Sequence, residues 1–323
     1  MSRPKVIVTR RWHPDVEAAL VERFDTQLNT DDHLMSVPEL QDALRHADAL
    51  LPTVCDQINA EVLGADNIRA RILGSNGVGF NHIDLDAARA AGLTVTNTPE
   101  VLTDCTADLA MTLLLAVARR AGEGERELRN GDWTGWRPTH MMGTRVTGKT
   151  LGLIGMGRIA RAVAARAAHG FMMKIVYYNP SQPRDEDLEG LNAVRCDSPE
   201  QVLAEADFVS LHCPGSKETH HLIDADAFRV MKPGAFLINT ARGNVVDEAA
   251  MVDALNQGEI AGAGLDVFER EPAVTSALLE MENVVLLPHL GSATHETRKA
   301  MGMRVVENIE AFFAGETPRD KLV

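Results

Sequence analysis

The chain has 323 residues, 45% hydrophobic and 24% charged, a balance that fits a soluble globular protein with room for two domains. Its formal net charge of -14 argues against nucleic acid or an anionic membrane surface as partner, since both would repel it, while small anionic ligands respond to local charge and stay open. The apolar run after Arg3 and Lys5 is only "VIV", and the longest, Leu109 to Ala118, covers about half a membrane span, so neither a secretory signal nor a span is expected and the location should be cytoplasmic.

In chain order, "KVIVT" (5–9) reads as a strand and "HPDVEAALVERF" (13–24) as a helix with Pro14 in its first turn. "ADALLP", "ARILGSN" and "LTVTN" read as further strands, with helices starting near Pro38 and Asp84. Strands alternating with helices imply a parallel sheet covered on both faces. A boundary signal at "NTPEVLTD" (97–104) precedes a long helix, "CTADLAMTLLLAVARR", which is apolar nearly all round and should be buried between domains or subunits. The segment 123–148 starts as a charged helix and ends in a turn-rich loop carrying Trp133 and Trp136. Such an excursion suits a binding or dimerising arm, or a loop packed on its own domain.

From Lys149 a second alternation begins, with strands expected at 150–154, 174–178, 207–212, 235–240, 262–267 and 283–287 and a last helix from Thr294. The four cysteines are far apart and lack a C-x-x-C spacing, which disfavours a zinc knuckle or a disulfide framework. His220 and His221 lie in the polar, turn-like "GSKETHHLID" with no further ligand near them in sequence, so they read as loop histidines and no metal is expected.

"TLGLIGMGRIARAVAARAA" sets G-x-G-x-x-A (Gly155, Gly157, Ala160) directly after a strand and at the start of a helix. The first glycine permits the tight turn, the second lets backbone amides approach a pyrophosphate, and the small Ala160 lets the helix pack close to the strand. That context makes the motif a dinucleotide site rather than a phosphate-free turn. The next strand ends at Asn179, where an Asp or Glu would meet both hydroxyls of the ribose in NAD. Without that carboxylate a 2′-phosphate is not repelled, and Ser181 and Arg184 could donate to it. This favours NADP(H), although Asn179 can still hydrogen-bond a plain ribose and NAD(H) stays possible.

In an open parallel sheet, ligands bind outside the carboxyl ends of the strands. Those ends collect Gly155, Asn179, Cys213, Arg242, the segment Asp266–Glu271 and His289. Arg242 is a two-pronged donor suited to a carboxylate or carbonyl oxygen, or else a partner for an acid such as Asp247. A carboxylate beside a histidine fixes the ring's orientation and stabilises its charged form, and Glu269 and Glu271 are equal candidates on spacing. Nicotinamide carries a hydride but not the accompanying proton, so reduction of a carbonyl needs a nearby acid. His289, for which no companion metal ligands are found, best fits that proton donor.

Together, "GLIGMGRIARAVA", "FVSLHCPGSKETHHLI", "MKPGAFLINTARGNVVDEAAMVDAL", "AGAGLDVFEREP" and "NVVLLPHLGSAT" resemble the D-isomer-specific 2-hydroxyacid dehydrogenases in order and spacing, and within them the glyoxylate/hydroxypyruvate reductases. The resemblance implies two doubly wound α/β parallel-sheet domains, a Rossmann coenzyme domain (99–291) inserted in a smaller flavodoxin-like substrate domain (1–98 plus 292–323). It implies a catalytic set of Arg242, Glu271 and His289, selecting Glu271 over Glu269. It puts Arg158 and Ile159 on the pyrophosphate, Asp266 by the nicotinamide, and Cys213, Thr219, Thr240 and Gly291 among the coenzyme contacts. Substrate contacts would come from Asn76, from the amides of Val78 and Gly79, from Val54 in the pocket-shaping loop "PTVCDQ", from Arg242, and from Trp136 or Trp133 of a dimerising arm. The expected activity is reduction of a small 2-oxo acid to the D-alcohol by a homodimer. Other readings on the same frame are a phosphoglycerate or formate dehydrogenase, a broad 2-keto acid reductase, or a dinucleotide-sensing corepressor scaffold. The stretch beyond His289 is expected to be too short for an appended regulatory domain.

Overall fold

The computed structural model describes residues 3–323, and the chain divides into two compact units, 1–102 with 292–323 and 103–291. The first contains β1 (Lys5–Val8), β2 (Asp25–Gln27), β3 (Ala49–Leu51), β4 (Ile72–Gly74) and β5 (Thr94–Thr96). They form one parallel sheet in the order β2-β1-β3-β4-β5, the flavodoxin-like winding. β3 and β4 are buried along their whole length because helices cover both faces, which is why they read as unbroken apolar runs. On one face Leu40, Leu44, Ile58 and Val62 pack on Leu50, Leu73 and Val95. On the other, Val16 and Leu20 of helix Pro14–Arg23 and Val305 and Ile309 of helix His295–Phe313 close over Val6, Val8, Leu51 and Ile72. The C-terminal helix is thus part of the first unit's core. It starts at Thr294, whose side chain accepts the Thr297 amide.

The second unit holds β6 (Thr150–Ile154), β7 (Lys174–Tyr178), β8 (Val194–Arg195), β9 (Phe208–Leu211), β10 (Phe236–Asn239), β11 (Gly262–Leu265) and β12 (Val284–Leu286). All neighbours are parallel, in the order β12-β11-β10-β9-β6-β7-β8. The winding reverses between β6 and β9, the switch point where a Rossmann sheet opens its ligand crevice. Leu113 and Leu114 of helix Thr103–Ala118 and Val163 of helix Arg158–Phe171 cover Leu151, Leu153, Phe208 and Ile238 on one face. Leu203, Phe228, Met251 and Leu255 cover Val209, Leu237 and Leu265 on the other.

Helix Thr103–Ala118 is buried along much of its length, as its apolar composition leads one to expect. Its buried side packs within its own unit, on β10, β11, β12 and helix Arg158–Phe171. Gly264 leaves room for the close approach of Leu113. Helix Ala121–Asn130 follows and buries none of its residues. No helix among the described residues is long and apolar enough to cross a membrane.

Candidate active site

β6 delivers the chain into Gly155, whose φ of 90° lies in the left-handed region. A Cβ there would come within 2.9 Å of the His212 and Cys213 backbone, so the turn requires glycine on two counts. Gly157 caps helix Arg158–Phe171, which has no acid in its first turn, so no carboxylate of its own opposes the positive end of the helix dipole. Ala160 is fully buried against the sheet, and Ile159 packs on the same core. This cradle fits the pyrophosphate of a dinucleotide.

At the end of β7, Asn179 ties the glycine turn to the loop that follows its own strand. Its Oδ1 accepts the Met156 amide at 3.0 Å, and its Nδ2 donates to the Ser181 carbonyl at 2.8 Å and hydroxyl at 3.1 Å. Arg184 pairs with Glu186 at 2.5 Å and Asp187 at 3.1 Å, so its fork is already held by acids. Arg195 on β8 donates instead to the Asn179 carbonyl at 3.1 Å, a cation at this end of the sheet that sequence reasoning passed over. Beyond β9, burial pushes the Cys213 thiol up to about 11. Thr219 pins its loop by donating to the Pro214 carbonyl at 2.6 Å and accepting the Ser216 amide at 2.8 Å. Thr240, just after β10, is buried.

His289 follows β12 with φ 55°, an uncommon conformation for a non-glycine residue and one that clusters at functional sites. Its amide donates to the Asp266 carbonyl at 2.9 Å, and its Nδ1 lies 2.8 Å from Glu271 Oε2. The other oxygen of Glu271 accepts the Phe268 amide at 3.0 Å. Burial works against ionisation of Glu271, but the hydrogen bond and charge of His289, the Phe268 amide and the charge of Arg242 outweigh it and hold the carboxyl below its usual range. Asp266 is buried, and its two oxygens accept the amides of Leu290 at 2.6 Å and Gly291 at 2.8 Å, directly behind His289. Here burial prevails over the amides and pushes the carboxyl up. Thr106 adds a hydrogen bond to the Gly291 carbonyl at 3.0 Å.

Arg242 stands one turn beyond β10, where Asn239 donates to its carbonyl at 2.9 Å and its own NH1 donates to the Ala241 carbonyl at 2.6 Å. Burial lowers the guanidinium's pKa and the charge of Glu271 opposes that shift. Its neighbour Gly243 makes the tightest glycine contact among the described residues: a Cβ would sit 1.9 Å from the Phe268 carbonyl carbon and 2.3 Å from the Glu269 nitrogen. The turn of Arg242 therefore lies flat on the segment that carries Glu271. Gly243, Asn239 and Glu248, whose carboxylate accepts the Glu269 amide at 2.6 Å, are positioning residues that sequence reasoning missed. An apolar strand followed by "TARGN" gives no linear clue to that contact.

In the first unit, Val54, Asn76, Val78 and Gly79 lie in the loops after β3 and β4. These loops are tied by a bridge between Thr53 and Asn76 and by Asn97 Nδ2 donating to the Val78 carbonyl at 2.8 Å. Asn76 Oδ1 is buried without a partner among the described residues. In the second unit, Trp136 is 81% exposed and Trp133 50%. His220 and His221 lie in a loop as expected, but the fold adds a neighbour that linear reading could not supply. Glu269 Oε1 is 3.0 Å from His221 Nε2, 48 positions along the chain.

The family model for the NAD-binding domain of D-isomer-specific 2-hydroxyacid dehydrogenases matches residues 111–291. The chain is similar to a glyoxylate reductase of Thermococcus litoralis, with 45% identity over 98% of this chain and 96% of that protein. A protein of Thermus thermophilus superposes with a TM-score of 0.90 at 42% identity, covering 99% of this chain and all 100% of the other. An NADPH-dependent glyoxylate/hydroxypyruvate reductase of Sinorhizobium meliloti, solved with NADP and malonate, gives 0.88 at 36% identity over 100% and 97%. With the glycine turn after β6 and a histidine–carboxylate pair at the far strand ends, the chain belongs to the D-isomer-specific 2-hydroxyacid dehydrogenase family.

Proposed function

We propose that the protein reduces a small 2-oxo acid, glyoxylate or hydroxypyruvate, to the D-2-hydroxy acid. The observation that carries this reading is the pair His289–Glu271, 2.8 Å apart and within electrostatic reach of Arg242. A bound reduced nicotinamide dinucleotide supplies the hydride. Arg242 holds the substrate carboxylate and polarises the keto oxygen with a fixed two-pronged donor. His289 gives its ring proton to that oxygen, while Glu271, 2.8 Å from its Nδ1, keeps the ring oriented. Asp266 steadies the turn behind the ring. The amides of Val78 and Gly79 are a further anchor for the carboxylate, and Trp136 a contact for its side chain, both resting on the family likeness.

NADP(H) is the preferred coenzyme in this reading. No acid ends β7, the Ser181 hydroxyl faces Asn179, and Arg195 stands beside them as a phosphate partner less encumbered than Arg184. The Sinorhizobium relative is NADPH-dependent, which supports that choice. A homodimer is supported by the arm after helix Ala121–Asn130. Leu128 within that helix and Trp133, Trp136 and Met142 beyond it are each at least half exposed, and apolar side chains left exposed together mark interaction surfaces.

The test is a panel of 2-oxo acids assayed with NADH and NADPH in parallel, alongside sedimentation of the untagged protein. Rapid NADPH oxidation with glyoxylate or hydroxypyruvate is expected. Slow turnover with every acid, together with tight dinucleotide binding, would point to a sensing scaffold instead.

A further inference from the structure

Away from the catalytic pair, the loop after β9 brings two adjacent imidazoles onto the segment after β11. The rings of His220 and His221 stack with centroids 4.0 Å apart and planes inclined by 30°. His221 has φ 51°, in the left-handed region, and its amide donates to the Asn244 carbonyl at 2.9 Å, which fixes this unusual turn. Its Nε2 lies 3.0 Å from Glu269 Oε1, and its Nδ1 lies 3.8 Å from Asp247 Oδ2. One donor atom from each of His220, His221 and Glu269 falls within 4.8 Å of the other two.

We propose that His220, His221 and Glu269 form a binding site for a divalent transition-metal ion of the zinc type. Two imidazole nitrogens and a carboxylate oxygen are a donor set that suits zinc, nickel or copper, whereas magnesium and calcium select oxygen ligands. Ligands bound tetrahedrally at about 2.0–2.2 Å stand roughly 3.3–3.6 Å from one another. The His221–Glu269 pair is already close to that spacing, and exposed His220 closes the remainder by rotating its ring. The ion takes the place of the hydrogen between His221 Nε2 and Glu269. Asp247, anchored because its other oxygen accepts the Ala250 amide at 3.0 Å, then supplies the acidic neighbour that a metal-bound histidine keeps on its second nitrogen. Three protein ligands leave a fourth position for water.

The site shares no residue with the catalytic set but abuts it. Glu269 is two positions from Glu271, and its backbone lies under Gly243, next to Arg242. An ion here fastens the loop of His220 to the segment carrying Glu271, so occupancy stiffens that segment from outside the active site.

The experiment uses full-length protein without a histidine tag, stripped with chelator and titrated with Co2+ and then Zn2+. Uptake of one equivalent of Co2+, with the visible absorption of a tetrahedral ion that Zn2+ abolishes, is expected. His220→Ala and Glu269→Gln should each weaken binding at least about tenfold, while His289→Gln leaves it unchanged. His220 is exposed, and the side-chain amide introduced by Glu269→Gln can still bond His221, so neither change should alter the melting temperature of the metal-free protein. Binding that survives both substitutions, binding lost only in His289→Gln, or no uptake at millimolar Co2+ would overturn the assignment.

Discussion

His289 Nδ1 and Glu271 Oε2 meet at 2.8 Å although 18 positions separate them, because β12 and the segment after β11 end side by side. The carboxylate is held ionised below its usual range despite its burial, chiefly by the histidine that it orients. Replacing His289 by Gln removes the proton donor and should lower kcat by about 10²- to 10⁴-fold with coenzyme affinity nearly unchanged. Glu271→Gln keeps the shape but loses the charge. A group whose native pKa is depressed contributes stability that is present above its unfolded pKa and lost as pH falls through the native value. The wild-type protein should therefore keep that contribution into mildly acidic solution, and Glu271→Gln should lack it. Steady-state kinetics with acid titration of both variants checks this, and full turnover in His289→Gln would end the assignment.

Gly243 makes a second, sharper case. Any side chain there meets the backbone of Phe268 and Glu269 rather than a movable side chain. Gly243→Ala must push the Arg242 turn away from the Glu271 segment. A loss of about 1–3 kcal/mol in stability is expected, as for overpacked cores, with a fall in kcat larger than any rise in KM for coenzyme. Thermal unfolding and kinetics on the one variant measure both, and a kcat within twofold of wild type would show that the two loops are not coupled.

Much of this arrangement is legible in the sequence, for identifiable reasons. β6 and β7 can be read at their observed bounds because buried parallel strands are continuous apolar runs between turn signals. β2 and β8 escape such a reading because they are short, polar or exposed edge strands with no pattern to detect. Arg242 and His289 stand out as polar residues at the ends of apolar strands. The choice of Glu271 over Glu269 rests on family likeness, and the structure gives each acid its own histidine: Glu271 with His289, Glu269 with His221. Contacts across such distances, like that of Gly243 on Phe268, arise from the packing of loops that no local periodicity encodes.

Asp266 is expected to act through backbone amides. Both its oxygens are taken by Leu290 and Gly291, so the turn just after His289 hangs on this one side chain. Asp266→Asn puts an amide group against an amide and forfeits one of these bonds. A drop in kcat of about tenfold or more is expected, along with a stability loss of about 1–3 kcal/mol for the donor left unpaired in a buried site. Hydrogen exchange at the Leu290 and Gly291 amides should quicken in the variant, and unchanged exchange would remove the role assigned here.

His212 follows β9 directly, beside the glycine turn, with its Nε2 2.9 Å from the Ser210 hydroxyl. The residue is only partly covered, yet the protein around its ring pushes the imidazole down to about 4 from an ordinary 6.5. The native state therefore keeps this ring neutral where the unfolded chain would protonate it. As pH falls below 6.5 the unfolded state binds the proton first, stability declines, and the decline levels off near pH 4, where the native ring also titrates. The loss across that window is about 2–3 kcal/mol at most, given about 1.4 kcal/mol per pKa unit and some discount for residual exposure. In a unit of this size that corresponds to a fall in Tm of several degrees, at about 2–4 °C per kcal/mol. His212→Asn removes the titrating ring and should flatten this part of the stability curve without abolishing folding. Denaturant midpoints at half-unit pH steps on both proteins measure the effect. Equal slopes between pH 6.5 and 4 would show that acid sensitivity in this range arises elsewhere.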